Sequence, residues 1–236
     1  MADERCEAYG LAASAQIPVA TYEEIDAGYC LRFMRQVRDC SFATVDERGL
    51  PSVRVIDVMH AGDGRLYFLA PRGKAFYAEV ARTGHIAIVA QTTDFRTCRL
   101  KGAVVHPTDA AEQRRLVDWM FELNPGMDEL YPGDTRYACE VFYIERGEGD
   151  YFDLGQKPLL RKAFAIGEPL DASQPGGFRI DEATCTGCGA CAGVCPQNCI
   201  ARTDSGTYAI VQSACLHCGL CFEACPSGAV EKLGSK

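Results

Sequence analysis

The stretch Cys185-Thr-Gly-Cys188-Gly-Ala-Cys191-Ala-Gly-Val-Cys195-Pro196 is followed by Cys215-Leu-His-Cys218-Gly-Leu-Cys221-Phe-Glu-Ala-Cys225-Pro226. Each run separates its cysteines by two, two and three residues and closes on a proline. Two-residue gaps let three thiolates wrap one cube of iron and sulfide. The longer third gap, with its proline, turns the last cysteine toward a second cube. The doubled pattern therefore assigns Cys185, Cys188, Cys191 and Cys225 to one [4Fe-4S] cluster, and Cys215, Cys218, Cys221 and Cys195 to another. Gly187, Gly189 and Gly219 suit loops whose backbone must approach a cluster closely, and whose amides hydrogen-bond its sulfurs.

Other uses of these cysteines fit less well. Disulfides need an oxidising compartment, and zinc sites space their cysteine pairs further apart. A shift of 30 residues lays Cys185 on Cys215, Cys195 on Cys225 and Ile200 on Val230. Such a repeat marks two copies of one unit. It lays Cys199 on Ala229, so Cys199 is read as a small buried residue rather than a ligand. His217, inside the second run, is read as either a tuning residue or a plain loop residue. Over residues 178–232 the chain resembles the bacterial 2[4Fe-4S] ferredoxin module.

The module leaves most of the 236 residues for a second domain with its own core. The formal net charge is −8 before any cluster is counted, which argues against a nucleic acid or an anionic membrane as partner. Met1-Ala-Asp-Glu-Arg is acidic and no cationic, apolar leader follows it, and no apolar run reaches the length of a spanning helix. Eight of the 14 cysteines stand in cluster spacing. The expectation is a soluble cytoplasmic protein in a reducing compartment.

Residues 1–20 are expected to be an extension, 21–168 a domain, 169–177 a linker rich in Gly, Pro and Ser, and 178–236 the cluster domain. Thr21 with Glu24 three residues on predicts a capped helix from Thr21 to about Val37. Strands are expected at 41–45, 52–59, 66–70, 85–91, 96–105 and 139–145, with one more at 159–165. A short helix is expected after Lys74 through about Ala81, stopped by Gly84, and an amphipathic one over 109–123. Gly102 suggests a bulge, and Gly147 to Gly155 a connector. Many short strands with few helices predict an α+β, mainly β, barrel-like fold with helical cover. No Gly-x-Gly-x-x-Gly follows a strand, which argues against a nicotinamide site of the doubly wound kind.

The segments Gly49-Leu-Pro51-Ser-Val-Arg54-Val-Ile and Leu66-Tyr-Phe68-Leu-Ala-Pro-Arg72-Gly-Lys74, with Gln91, Leu100-Lys-Gly102, Asn124-Pro125 and Leu130-Tyr-Pro132, carry a resemblance over about residues 20–155. The family is the pyridoxamine 5′-phosphate oxidase-like, FMN-binding split β-barrel family. The resemblance implies a homodimer with FMN sites at the subunit interface. It implies that Arg54 and Lys74 contact the FMN phosphate, with Arg72 joining them. It also implies that Val55, Ile56 and Asp57 run along the flavin ring, that Phe68, Leu69 and Ala70 line it, and that Gln91 reaches the flavin or its ribityl chain. A forked guanidinium plus an ammonium at a helix N-terminus suits a doubly charged phosphate. His60, His85 and His106 have no carboxylate motif beside them and are read as core or surface residues. The C-terminal Arg-x-His substrate motif of true oxidases is missing, and the cysteine module stands in its place. Vitamin B6 oxidation is therefore disfavoured.

Cluster and flavin in one chain suggest an iron–sulfur flavoprotein oxidoreductase: electrons enter at the clusters and a small-molecule substrate is reduced at FMN. A redox protein of ferredoxin type is the expected electron donor or acceptor. The sequence leaves two alternatives open. One is an electron-transfer carrier or redox subunit whose acidity suits a basic partner face. The other is a barrel that holds haem or a deazaflavin instead.

Overall fold

A computed structural model describes residues 17–168, 170 and 176–234. The expected extension over 1–20 lies outside them up to residue 16, as does most of the expected linker over 169–177. Two compact units emerge. One comprises residues 1–151 with 164–170; the other comprises 152–163 with 171–236. The expected boundary at 168 differs from this in one respect, because the segment Phe152–Ala163 groups with the C-terminal unit. Among the described residues, no helix is long and apolar enough to cross a membrane.

The first unit is built on antiparallel strands β1 (Asp39–Val45), β2 (Pro51–Gly62), β3 (Arg65–Pro71), β4 (His85–Gln91), β5 (Arg96–Val105) and β6 (Cys139–Asp153). They run in the order β3-β2-β1-β4-β5-β6, and β3 pairs back onto β6 from Leu66↔Ile144 to Pro71↔Cys139. That pairing closes a six-stranded barrel, with β7 (Leu160–Ile166) an extra strand beside β6. The barrel agrees with the expected fold class. Phe42, Phe68 and Phe142 fill its interior, with Phe68 and Phe142 stacked at 5.5 Å. Each completely buried aromatic of this kind is worth about 2–3 kcal/mol by area alone.

β3 is buried on both faces, which explains its unbroken apolar run Leu66-Tyr-Phe-Leu-Ala70. Leu66 and Phe68 share the barrel core with Ile144 and Phe142. Tyr67 and Leu69 pack instead with Val117, Met120 and Phe121 of helix α3 (Ala110–Leu123). Asp109 caps α3 through the Glu112 amide, as expected. Helix α2 (Ala75–Thr83) ends on Gly84 at φ 63°, also as expected.

Three expectations fail locally. Helix α1 spans Ala27–Val37 and not Thr21–Val37; Asp26 is the N-cap and accepts from the Tyr29 amide at 2.6 Å. Thr21 and Glu24 do bond to each other, but in a turn that precedes the helix. Gly102 makes no bulge: it pairs in register with Ile86, and its missing side chain leaves space that Ile144 fills. The proposed connector after Gly147 is strand, because β6 continues to Asp153. Gly147 and Gly149 are there for close approach. A Cβ on Gly147 would lie 2.5 Å from the Lys101 carbonyl oxygen, and one on Gly149 would collide with the Arg99 carbonyl and Phe164.

The outer face of the sheet at β1, β2 and β4 is apolar and open. Val53 and Val55 are 71% and 62% exposed, and Val89 lies across Ser41 from Val55.

The second unit repeats one motif twice. Strand β8 (Gly177–Ile180), helix α4 (Ala190–Gly193) and strand β9 (Ile200–Arg202) correspond to β10 (Tyr208–Ile210), α5 (Leu220–Glu223) and β11 (Val230–Leu233). β9 pairs with β10, and β8 with the distant β11. The first strand is thus sealed against the last, and the two halves interlock.

Replacing Gly149 with Ala should cost about 2 kcal/mol or more through overpacking against β5, read as a lower midpoint in urea. Gly73→Ala, where an added Cβ meets no atom within 4 Å, should leave the midpoint within about 0.5 kcal/mol.

Candidate functional site

Each cysteine loop enters its short helix through a left-handed glycine, Gly189 at φ 77° and Gly219 at φ 86°. Cys191 and Cys221 are buried, and Cys188 and Cys218 stand at the surface. A cavity in the second unit is lined by Cys215, Cys218 and Cys221 together with Cys195 from the other run. Its remaining wall is mostly apolar and includes Phe178, Ile200 and Leu220. The fourth cysteine of the first run is therefore brought to the first three of the second. Reciprocally, Cys191 lies within electrostatic reach of both Cys185 and Cys225.

The charge environment favours thiolates at the crossing positions. Burial opposes ionisation of Cys195, but the amides of Cys199, Gln197 and Asn198 outweigh it and hold the thiol below its usual pKa. Cys225 behaves alike: burial opposes ionisation, and Ser227 with the Val230 and Ala229 amides reverses it. Burial pushes Cys191 and Cys221 up. Four cysteines around one mostly apolar cavity, with amides turned on the sulfurs, are the donor chemistry that a [4Fe-4S] cluster takes. Cys199 is buried, as the repeat suggested, but not remote: its sulfur lies 3.5 Å from that of Cys195. No sequence signal pointed to that contact.

In the barrel, Arg54 projects from β2 to the side of its cross-strand partner Phe42. Its guanidinium lies 5.1 Å from the centre of the Phe76 ring and reaches the hydroxyls of Thr44 and Ser52. It also donates to Glu79 Oε2 at 2.8 Å, in a pair whose side chains are only 22% and 9% exposed. Glu79 in turn accepts from Thr44. The expected phosphate ligand thus already has a carboxylate against it. Glu79 was missed because its partners are distant in sequence and only the packing of α2 brings them together.

Lys74 is exposed at the N-cap of α2, and its side chain does not cap the helix. Arg72 donates to the Tyr137 carbonyl at 2.6 Å and to Glu140 at 3.3 Å. Val55 and Gln91 are exposed on the outer faces of β2 and β4, away from the Arg54 cluster, and Ile56 is half-buried. Phe68 and Leu69 are committed to the barrel core and to the α3 core. Only their backbone is left for a cofactor. A phosphate fits the open N-terminus of α2 beside Lys74. Arg54, reaching across from β2, lies against Phe76 and Glu79 of the same helix, with its charge already compensated by Glu79.

His106 does have a carboxylate partner. Its Nε2 lies 2.6 Å from Glu140 Oε2, and its ring stacks on Phe142 at 4.2 Å. Tyr77 donates to the same oxygen at 2.7 Å, and burial with that bond raises the phenol to about 12. Burial would raise Glu140, but Tyr77, His106 and Arg72 outweigh it and hold the carboxyl low. His106 and Glu140 are 34 residues apart, too far for a sequence motif to have paired them.

Residues 166–229 match the family model for the 4Fe-4S dicluster domain. No curated protein matches the chain. Among solved structures, a NimC/NimA family protein from Clostridium acetobutylicum is 20% identical, covers 58% of this chain and 89% of its own, and superposes with a TM-score of 0.49. A pyridoxamine 5′-phosphate oxidase-related, FMN-binding protein from Nostoc punctiforme is 17% identical, covers 60% of this chain and 93% of its own, and has a TM-score of 0.45. A protein related to general stress protein 26, also from C. acetobutylicum, is 13% identical over 60% of this chain and 97% of its own, at 0.46. The doubled cysteine runs, the interlocked halves and the family match lead to one conclusion: the C-terminal part of this chain is a 4Fe-4S dicluster domain, joined to a six-stranded antiparallel barrel.

Proposed function

We propose that this chain is a flavin-dependent reductase with its own electron inlet. Two [4Fe-4S] clusters receive electrons singly, and a phosphate-bearing flavin, FMN by preference, stands at the barrel. The observation that carries the reading is the joining of a dicluster domain to a barrel with Lys74 exposed at the open N-terminus of α2. Cys185, Cys188, Cys191 and Cys225 hold one cluster; Cys215, Cys218, Cys221 and Cys195 hold the other. The shared cavity and the amides facing Cys195 support this crossing. Bound flavin would supply the exchange between single electrons and a hydride equivalent. Lys74 and the first amides of α2 bind its phosphate. Arg54, with the Ser52 hydroxyl, borders that phosphate and is held in place by Glu79. A second copy covers Val53, Val55 and Val89, whose exposure supports a homodimer.

The Arg54–Glu79 pair favours a second reading, in which the barrel holds no flavin and the chain is a redox subunit serving another protein. The net charge of −8 suits a basic docking face. Anaerobic reconstitution with iron, sulfide and FMN separates the two. The first reading expects flavin absorbance to survive gel filtration, and substoichiometric dithionite to reduce clusters and flavin together. Loss of all flavin on the column would sink it.

Lys74→Ala should weaken FMN binding about tenfold, the size of one charge-assisted contact, while leaving riboflavin binding unchanged; fluorescence quenching reads both. Cys195→Ser and Cys218→Ser should lose the same cluster, leaving identical EPR spectra and about half the iron. Cys225→Ser and Cys188→Ser should both lose the other. If Cys195→Ser matches Cys188→Ser instead, the crossing is wrong.

A further inference from the structure

The two cysteine loops are equivalent in backbone but not in what surrounds them. The 30-residue repeat sets His217 against Gly187, and both have positive φ, 57° and 70°. That region suits Gly and costs another residue about 1 kcal/mol. The first loop has no room for a side chain at this position, because a Cβ on Gly187 would lie 2.6 Å from the Gly206 carbonyl oxygen. In the second loop the side chain is present and bonded. The His217 amide donates to Cys215 Sγ at 3.4 Å, and its Nδ1 lies 2.8 Å from Arg161 Nη1. The ring also rests against Gly177, where an added Cβ would stand 3.1 Å from Nε2.

Arginine has donors only, so Nδ1 is the acceptor in that bond. The charge in this pair is carried by the guanidinium, which the ring holds in place. Arg161 sits in β7, in the segment that groups with the cluster unit, and lies 4.7 Å from the centre of the Phe152 ring. Its bond to His217 is partly buried, so salt screens the charge less than it would at the surface.

We propose that Arg161, anchored through His217, makes the two clusters unequal, so that the cluster of the Cys215 loop is the easier to reduce. The inference rests on the ligand assignment above. Reduction adds one electron and hence one negative charge to a cluster. A fixed cation near one cluster stabilises its reduced form and raises its potential. Gly187 offers no side chain through which the first loop could hold such a cation; Arg202, which bonds the Gly206 carbonyl facing Gly187 at 3.4 Å, is exposed, so solvent screens its charge more than that of the partly buried Arg161. Electrons would therefore collect on the second loop's cluster.

The test is an EPR-monitored redox titration of the reconstituted holoprotein. Two one-electron waves are expected. R161Q should lower only the higher midpoint, changing the reduced-to-oxidised ratio of that cluster about tenfold at fixed potential, the order expected for one charge at an effective dielectric of about 20; tenfold is about 59 mV for a one-electron couple. R161K should restore most of the shift. H217G should lower the same midpoint, because it releases the guanidinium from the second loop. The proposal is overturned if R161Q and H217G move neither midpoint, or move both alike, or if R161K behaves as R161Q does. A holoprotein that binds fewer than two clusters would overturn the ligand assignment, and the bias with it; iron analysis makes that outcome distinguishable.

Discussion

The backbone ladder between β3 and β6 is the constraint on which the first unit depends. It joins Leu66–Pro71 to Cys139–Ile144 and turns an open sheet into a barrel. An open sheet would leave two ladders of unpaired backbone groups, whereas closure removes both edges. Closure also encloses Phe42, Phe68 and Phe142. It sets Glu140 opposite Ala70, so the carboxylate meets Arg72, Tyr77 and His106. The loop that presents Arg72 and Lys74 to α2 starts where the ladder ends.

A comparable seal operates in the cluster unit. Pairing β8 with β11 ties the first strand of one half to the last strand of the other. Neither half has a core of its own; Phe178, Ile180, Ile200 and Val230 pack around cysteines of both runs. These cysteines are therefore part of the core, and any metal they take should couple strongly to folding. Within that symmetric frame, Gly187 and His217 break the equivalence at one position.

Local signals carried much of the reading. Alternating burial in β5 matches the alternation of Cys98, Leu100 and Gly102 with Arg99 and Lys101, whereas in β4 it runs through the unbroken apolar stretch Ile86 to Ala90. Asp109 and Gly84 punctuated their helices as their chemistry requires. The misreadings involve residues whose local preference was overruled by neighbours distant in the chain. Gly147 and Gly149 read as turn residues, yet they let β6 pass close to the β5 carbonyls. Thr21 and Glu24 form their capping contact, but the helix waits for Asp26.

The sequence by itself determined the cluster chemistry, because cysteine spacing of two, two and three residues is a local property and its repetition after 30 residues is visible without a fold. It also determined the strand periods and the cations around α2, which are short-range patterns. Tertiary structure alone decided the partners of those charges. Arg54 with Glu79, His106 with Glu140, and Arg161 with His217 stand 25, 34 and 56 residues apart. No spacing rule reaches that far; such pairs exist only once barrel closure and strand interlocking have fixed which faces meet.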